Sequence, residues 1–158
     1  MNLLELRKIQ DDDIPLMKRW LYKDYIIKWY QDPEEWIKEI IQRDNEFKFL
    51  NHFIVLYEDK PIGFCQYYKC SDAEEDWYGE IPVKGTYSVD YLIGEEEYLG
   101  KGFGKAIIEL LVNKIFSIDE AERIIVQPDE ENLPSANSLL TNGFCFDKKN
   151  HLFIKSKS

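Results

Sequence analysis

Basic residues, histidine and cysteine are all scarce in this chain of 158 residues. Its 20 Lys and Arg residues are outnumbered by 30 Asp and Glu residues, which gives a formal net charge of −10. Nucleic acid binding needs clustered basic surface, so nucleic acid is excluded as an expected partner. Cys65, Cys70 and Cys145 have no paired metal-ligand spacing, and only His52 and His151 could supplement them. We therefore expect no metal.

Long apolar runs are missing as well. No stretch approaches the roughly 20 apolar residues that span a bilayer, and residues 1–8 are too charged for a signal-peptide core. We expect no membrane partner and a cytoplasmic location. Repeats, low-complexity tracts and linker-like segments are also missing. With 44% hydrophobic and 15% aromatic residues, the chain is expected to fold as a single domain over residues 1–158.

The apolar periodicity predicts alternating strands and helices. Asp11–Asp13 are expected to cap the first helix, and Asp32 to cap the second as part of a capping box with Glu35. Strands are predicted at 2–9, 52–57, 62–69, 86–93 and 123–127, a closing hairpin at 144–155, and helices at 14–21, from 33 onward, at 105–116 and at 135–141.

A glycine-rich turn between the fourth strand and the following helix is the most informative motif. Gly100, Gly102 and Gly104 alternate along it, directly before an amphipathic helix. Glycine allows close backbone approach, and helix N-termini carry free N–H groups with partial positive charge, so this arrangement favours an anion. It is not a P-loop, because Ala106 stands where Ser or Thr is needed and Leu99 breaks the glycine spacing. The alternative is a tight turn that binds nothing.

The segment 100–104 resembles the acetyl-CoA loop of the GNAT superfamily of N-acetyltransferases. Leu99 departs from the family, which most often has Arg or Gln there. Two further segments resemble the family in the same order: 61–64, and Asn132 followed by 142–144. The resemblance implies an α+β fold, with a central, mostly antiparallel twisted sheet, a splayed strand pair and flanking helices.

The resemblance also implies acetyl-CoA as co-substrate. In such enzymes, backbone amides of the loop hold the pyrophosphate, and the strand before the loop holds the pantetheine arm. The cofactor-binding residues implied here are Leu92, Ile93, Leu99, Gly100, Lys101, Gly102, Phe103, Gly104, Lys105 and Asn132.

Asp90 is the candidate general base. It lies in an otherwise apolar strand just before the glycine turn, and burial there would raise the pKa of its carboxyl group toward a useful range. The alternatives are a solvent-facing strand position and a substrate anchor. Direct attack by an amine needs no covalent intermediate, and no nucleophilic Cys or Ser stands out.

Within the superfamily the chain is most similar to the aminoglycoside 6′-N-acetyltransferases. That resemblance matches Asp90 to their catalytic aspartate and implies a substrate face of Trp29, Tyr30, Gln66, Asp76, Trp77 and Glu80. The segment 71–80 interleaves carboxylates with aromatic rings, which suits a polycationic aminosugar. A solvated acidic loop is the alternative interpretation. The expected partner is a small cationic amine, and the expected assembly is a monomer or homodimer.

One position of the resemblance is not met. Many GNAT enzymes have a tyrosine four residues before the final Gly-Phe, whereas this chain has Leu139. Two alternatives therefore stay open: transfer to another amine, such as a polyamine, a siderophore precursor or a protein N-terminus, and a non-catalytic acyl-CoA-binding module.

Overall fold

The computed structural model describes residues 3–158, in which strands and helices alternate. The strands are β1 (Leu4–Lys8), β2 (Asn51–Tyr57), β3 (Lys60–Lys69), β4 (Thr86–Ile93), β5 (Arg123–Val126), β6 (Cys145–Asp147) and β7 (Leu152–Ser156). The helices are α1 (Ile14–Leu21), α2 (Asp24–Ile27), α3 (Pro33–Ile41), α4 (Cys70–Ala73), α5 (Phe103–Phe116) and α6 (Leu133–Thr141). None of the helices in this part of the chain is both long and apolar enough to cross a membrane.

The strands form one sheet in the order β1-β2-β3-β4-β5-β7-β6. β1 pairs antiparallel with β2, and β7 pairs antiparallel with both β5 and β6. β4 and β5 run parallel, with Thr86 opposite Arg123 and Tyr87 opposite Ile124. This confirms the predicted mixed fold around a mostly antiparallel sheet.

The chain divides into two compact units, to each of which β3 and β4 contribute residues. The first consists of the described residues up to Gln66 together with Tyr91–Phe103. Its core is built where the apolar faces of α1 and α3 meet β2, β3 and β4, and it consists of Ile9, Met17, Trp20, Leu21, Ile26, Ile37, Ile40, Ile54, Phe64 and Leu92. Burying ten such side chains is the main source of its stability.

The second unit consists of Tyr67–Asp90 and Gly104–Ser158. One of its apolar clusters joins Cys70 and Tyr78 to the strand residues Ile125 and Leu152. The apolar stripe of α5 is buried at Ile107, Ile108, Leu111, Val112 and Ile115, which are the positions that its periodicity predicts.

Several boundaries agree with the sequence prediction. α1 spans the predicted residues, and β2 and β3 form the predicted hairpin pair of strands. Glu58 and Asp59 connect them with φ of 49° and 65°, the positive values that a two-residue hairpin turn of type I′ requires. Asn2, with which the first strand was predicted to begin, lies outside the described residues.

The predicted cap positions are confirmed, because Asp13 and Asp32 are the N-cap residues of α1 and α3, but neither side chain caps its helix. Asp32 has a φ of 60° and makes no side-chain cap, so the capping box with Glu35 is not formed. Asp11–Asp13 form a 3-10 turn of their own, and the Asp13 carboxylate accepts from Arg7 Nη1 at 2.9 Å and Nη2 at 2.8 Å, and from Gln10 N at 2.8 Å. The Arg7 guanidinium competes for the Asp13 carboxylate more strongly than the N–H groups of the helix do, because guanidinium and carboxylate are both charged.

Candidate functional site

The glycine turn has the backbone that its sequence requires. Gly100 and Gly102 have φ of 71° and 85°, in the left-handed region that L side chains avoid. A Cβ on Gly100 would meet nothing within 4 Å, so glycine is needed there for its φ and not for space. α5 begins at Phe103, two residues earlier than predicted. Gly104 and Lys105 therefore lie in its first turn, where N–H groups have no partner within the helix.

Phe103 anchors the end of this turn in the first unit. Its ring is 5% exposed and makes edge contacts with Tyr57 and Tyr98 at centroid distances of 4.9 and 5.3 Å. Lys60 Nζ lies 2.9 Å from Glu97 Oε1 and 5.4 Å from the centre of the Tyr98 ring. By contrast, Leu99 is 42% exposed, and Lys101 is exposed as well. The apolar anchors thus fix the turn while its middle faces solvent.

The backbone carbonyls at the end of β4, in the first unit, accept hydrogen bonds from two tyrosine side chains. Leu92 is buried and Ile93 is half-buried. The Tyr30 hydroxyl donates to the Tyr91 carbonyl, and the Tyr25 hydroxyl donates to the Ile93 carbonyl at 2.8 Å. The sequence predicted Tyr30 as a site residue, whereas no pattern in the sequence indicated Tyr25.

Two other predicted substrate residues of the first unit differ in accessibility. Trp29 is half-buried, with Lys28 Nζ 4.7 Å from the centre of its ring. Gln66 is 2% exposed. An exposed cation on the Trp29 ring contributes little stability, so a cationic ligand could replace it at small cost.

Asp90 lies in the second unit and is half-buried, and its charge acts on the hydroxyl of Tyr68. Tyr68 is 6% exposed, and its hydroxyl donates to Glu75 Oε1 at 3.1 Å. Burial raises the pKa of Tyr68 above its ordinary value, and the negative charges of Asp90 and Glu75 raise it further. The Tyr68 hydroxyl therefore stays protonated and lies in the negative field of both carboxylates.

The acidic segment 71–80 is more ordered than the predicted loop, because it begins within α4. Asp76 is exposed. Trp77 packs against the apolar cluster of the second unit, with its ring 4.8 Å from that of Tyr78. Glu80 Oε2 pairs with Lys149 Nζ at 2.6 Å on the surface. Asp90 and Glu75 both act on the Tyr68 hydroxyl, and we call these three residues the Asp90 network. The sequence did not single out Glu75 within the acidic segment.

Asn132 and Leu139 belong to α6 in the second unit. The Asn132 carboxamide oxygen accepts from Ser135 N at 3.2 Å and caps the helix, which begins two residues earlier than predicted because Pro134 lies in its first turn. Leu139 is fully buried, so it is a core residue in this chain. Asn142 Nδ2 donates to Lys105 O at 3.0 Å, which links the end of α6 to the first turn of α5.

A cavity of about 390 Å³ in the second unit contains none of the predicted site residues. It lies at the beginning of β4, between Lys69, Lys84, Tyr87 and Glu120. Within residues 3–158 no group of three or more His, Cys, Asp and Glu side chains has the arrangement of a metal site. The geometry thus identifies the glycine turn and the Asp90 network as the chemically distinctive features.

One protein family has a sequence pattern that matches most of this chain, including the glycine turn and Asp90. Residues 10–152 match the family described as an acetyltransferase (GNAT) domain. This chain belongs to the GNAT acetyltransferases. It is therefore an acyltransferase by family, and the predicted resemblance is confirmed.

Curated relatives and solved structures agree with the GNAT assignment. The chain is 23% identical to the aminoglycoside N(6′)-acetyltransferase type 1 of Klebsiella pneumoniae over 149 residues, and this alignment covers 88% of this chain and 72% of the relative. The aminoglycoside N(6′)-acetyltransferase type 1 of Serratia marcescens matches with the same values. Aminoglycoside acetyltransferase AAC(6′)-Ib in complex with coenzyme A and kanamycin has a TM-score of 0.81 at 20% identity, covering 98% of this chain and 95% of that one. Spermidine N-acetyltransferase from Vibrio cholerae, in complex with CoA and spermine, has a TM-score of 0.73 at 16% identity, covering 98% and 94%. These structures establish the fold.

Proposed function

We propose that this GNAT acetyltransferase transfers an acetyl group from acetyl-CoA to the 6′-amino group of an aminoglycoside. The observation that carries the proposal is the glycine turn, with two left-handed glycines directly before α5. Such a backbone directs consecutive N–H groups toward one anion, and the partial positive charge of the helix end favours it. The pyrophosphate of acetyl-CoA is an anion of that kind.

The residues of this turn fit the cofactor by their exposure and conformation. Leu99, Lys101 and the open space at Gly100 leave the loop accessible from solvent. We assign Leu99–Lys105 to the pyrophosphate, the backbone of Leu92 and Ile93 to the pantetheine arm, and Asn132 to the cofactor as well. The cofactor supplies the acetyl group as a thioester, and the protein supplies position and charge.

Asp90 is proposed as the general base. An ammonium group must lose one proton before its nitrogen attacks the thioester carbonyl carbon. The new C–N bond then forms as the C–S bond breaks. The nitrogen gives up its second proton to the departing thiolate, which is stable enough to leave without a dedicated acid of the protein. The half-buried Asp90 carboxylate can take the proton, and we assign Glu75, whose charge acts on Tyr68 together with that of Asp90, to stabilise an incoming cation. The buried Leu139 supplies no proton.

The proposed acceptor rests on charge, on contacts to its sugar rings and on the relatives. The chain carries a net charge of −10, and we assign Asp76 and Glu80, with Glu75, to the ammonium groups of the acceptor. Trp29, Trp77, Tyr30 and Gln66 would contact its sugar rings. The curated relatives named above are aminoglycoside 6′-acetyltransferases. An aminoglycoside is the acceptor class that satisfies all three considerations.

Thiol release from acetyl-CoA tests the proposal, with kanamycin, ribostamycin, spermidine and a simple monoamine as acceptors. We expect turnover with the aminoglycosides and a kcat at least 100-fold lower for Asp90→Asn, as is typical when a general base is lost. CoA affinity, measured by calorimetry, should be the same in both proteins.

Glu109→Gln, on the exposed face of α5, is the matched control and should retain full activity. Turnover with spermidine alone would replace the aminoglycoside by a polyamine. Binding of CoA without turnover of any amine would identify a non-catalytic acyl-CoA-binding module, and the absence of CoA binding would refute the proposal as a whole.

A further inference from the structure

The two edges of β4 in the first unit have different hydrogen-bond partners. Along a strand, the backbone groups of successive residues point alternately to the two sides. Gly94 N donates to Ile62 O at 2.8 Å, and a Cβ on Gly63 would lie 2.4 Å from Leu92 O. The backbone N–H and C=O groups of Leu92 and Gly94 therefore face β3. Those of Tyr91, one residue before Leu92, face the opposite edge, together with those of Ile93.

Two tyrosine hydroxyls cover that opposite edge. The Tyr30 hydroxyl donates to Tyr91 O and accepts from Tyr91 N at 3.3 Å. The Tyr25 hydroxyl donates to Ile93 O at 2.8 Å. Together they reproduce, with side chains, the alternating N–H and C=O partners that a neighbouring strand would provide. Both tyrosines come from α2 and the residues just after it.

A molecule with amide groups in an extended chain is the natural ligand of a strand edge. The pantetheine arm of acyl-CoA contains two secondary amides in such a chain, each with one N–H and one C=O. We infer that Tyr25 and Tyr30 occupy the positions on β4 that the pantetheine amides use, so that acyl-CoA binds only by displacing their hydroxyls. This inference rests on the proposed function.

The two side chains are suited to reversible displacement. Burial raises the pKa of Tyr25 to about 12, so its hydroxyl remains a donor throughout the neutral range. Tyr30 packs edge-on against Trp36 at a centroid distance of 5.3 Å, and this single ring contact must change when the side chain moves its hydroxyl away from β4. The tyrosines satisfy the edge when no ligand is bound, and every ligand must replace their hydrogen bonds. They thereby lower the affinity for acyl-CoA.

Calorimetric titration of the whole protein with CoA and with 3′,5′-ADP tests the inference. 3′,5′-ADP keeps the nucleotide end of the ligand and lacks the pantetheine arm. We expect Tyr30→Phe and Tyr25→Phe each to bind CoA about 3- to 10-fold more tightly than the wild type. Their affinity for 3′,5′-ADP should be unchanged. Tyr22→Phe is the matched control, because its hydroxyl donates to Glu34 at the exposed surface, and it should match the wild type with both ligands.

An unchanged or weaker CoA affinity in Tyr30→Phe and Tyr25→Phe would overturn the inference, since the hydroxyls would then not compete with the ligand. Wild-type protein that binds CoA, combined with that result, would leave the proposed function intact. Wild-type protein that binds neither CoA nor 3′,5′-ADP would refute both.

A measurement on the wild type covers the case in which a variant fails to fold. Tyrosine labelled with ¹³C at Cζ reports loss of a phenol hydrogen bond by NMR. The signals of Tyr25 and Tyr30 should shift on addition of CoA and stay in place with 3′,5′-ADP. Equal shifts with both ligands, or none with a saturating amount of CoA, would contradict displacement by the pantetheine arm.

Discussion

A buried histidine gives the chain a specific sensitivity to acid. His52 is 3% exposed, in contact with Phe64 at a ring distance of 5.7 Å. Neither of its ring nitrogens has a hydrogen-bond partner among residues 3–158. Burial lowers the pKa of His52 from 6.5 to about 4, and the positive charge of Arg43 lowers it further. The folded protein therefore holds the neutral imidazole.

We predict that the free energy of unfolding falls between pH 6.5 and pH 4 because of His52. In this window the unfolded chain binds a proton at the imidazole that the folded chain does not bind, so acid favours unfolding; above pH 6.5 the residue has no such effect. The loss amounts to about 3 kcal/mol at the acid end. Urea denaturation at pH 7 and pH 4.5 measures it, and His52→Leu should lose about 2 kcal/mol less than the wild type over this range.

The other histidine supplies the control for that comparison. His151 is exposed, so His151→Gln removes an imidazole from the surface and leaves His52 in place, and this variant should lose more free energy than His52→Leu over the same pH range. If His52→Leu and the wild type lost the same free energy between the two pH values, protonation of carboxylates alone would account for the acid sensitivity.

Individual site residues were predictable to the degree that local conformation determines them. Gly100 and Gly102 could be predicted, because a backbone position with positive φ favours glycine, which is visible in the sequence. Tyr25 and Tyr68 could not, because an isolated tyrosine is no different in pattern from a core residue, and the hydrogen bond of Tyr25 to Ile93 joins residues distant in sequence. Glu75 stood within a predicted acidic segment, but only the fold separates it from its neighbours by its bond to Tyr68.

At the scale of elements, Asn132 at the start of α6 has an observed role as helix cap and a proposed role at the cofactor, and the two can be separated. Asn132 caps the helix through its carboxamide oxygen, and we assign the same residue to the cofactor. Asn132→Ala should cost about 1 kcal/mol of stability through loss of the cap. Asn132→Ser should keep the cap, and with it the wild-type melting temperature, but bind CoA several-fold more weakly. Thermal melting and calorimetry on the two variants provide the comparison.

The Ser variant decides the role of Asn132. If Asn132→Ser bound CoA like the wild type while Asn132→Ala bound it more weakly, Asn132 would act on the cofactor only through helix stability. The capping interpretation would then suffice, and Asn132 would leave the proposed cofactor site.

Elements with strong periodicity or turn chemistry were predicted well, and short ones were not. The α1 bounds and the strands β2, β3 and β4 follow from apolar spacing over five or more residues. α2 and α4 are four residues long, too short for a helical period to emerge from the sequence. Asp32 is the N-cap residue of α3 and Pro33 opens the helix, as predicted, but Asp32 has a φ of 60° and its side chain makes no cap, which the sequence did not indicate.

At the scale of the whole molecule, the charge of −10 should act on the two proposed substrates in opposite directions. A polycationic acceptor is attracted by the acidic surface, whereas acetyl-CoA is an anion and is repelled. Salt screens both effects as the Debye length falls from about 30 Å at 0.01 M to about 8 Å at 0.15 M. The acceptor must therefore be studied at saturating acetyl-CoA, where only its own attraction remains.

Under that condition, we predict that kcat/KM for kanamycin falls about 10-fold or more between 0.01 M and 0.15 M ionic strength, while kcat/KM for a monoamine falls less than about 2-fold. Glu75→Gln should reduce the salt dependence for kanamycin, because this carboxylate belongs to the Asp90 network. Glu109→Gln removes the same charge from the exposed face of α5 and should not change it. Equal effects of the two substitutions would mean that overall charge, and not the carboxylates near Asp90, attracts the acceptor.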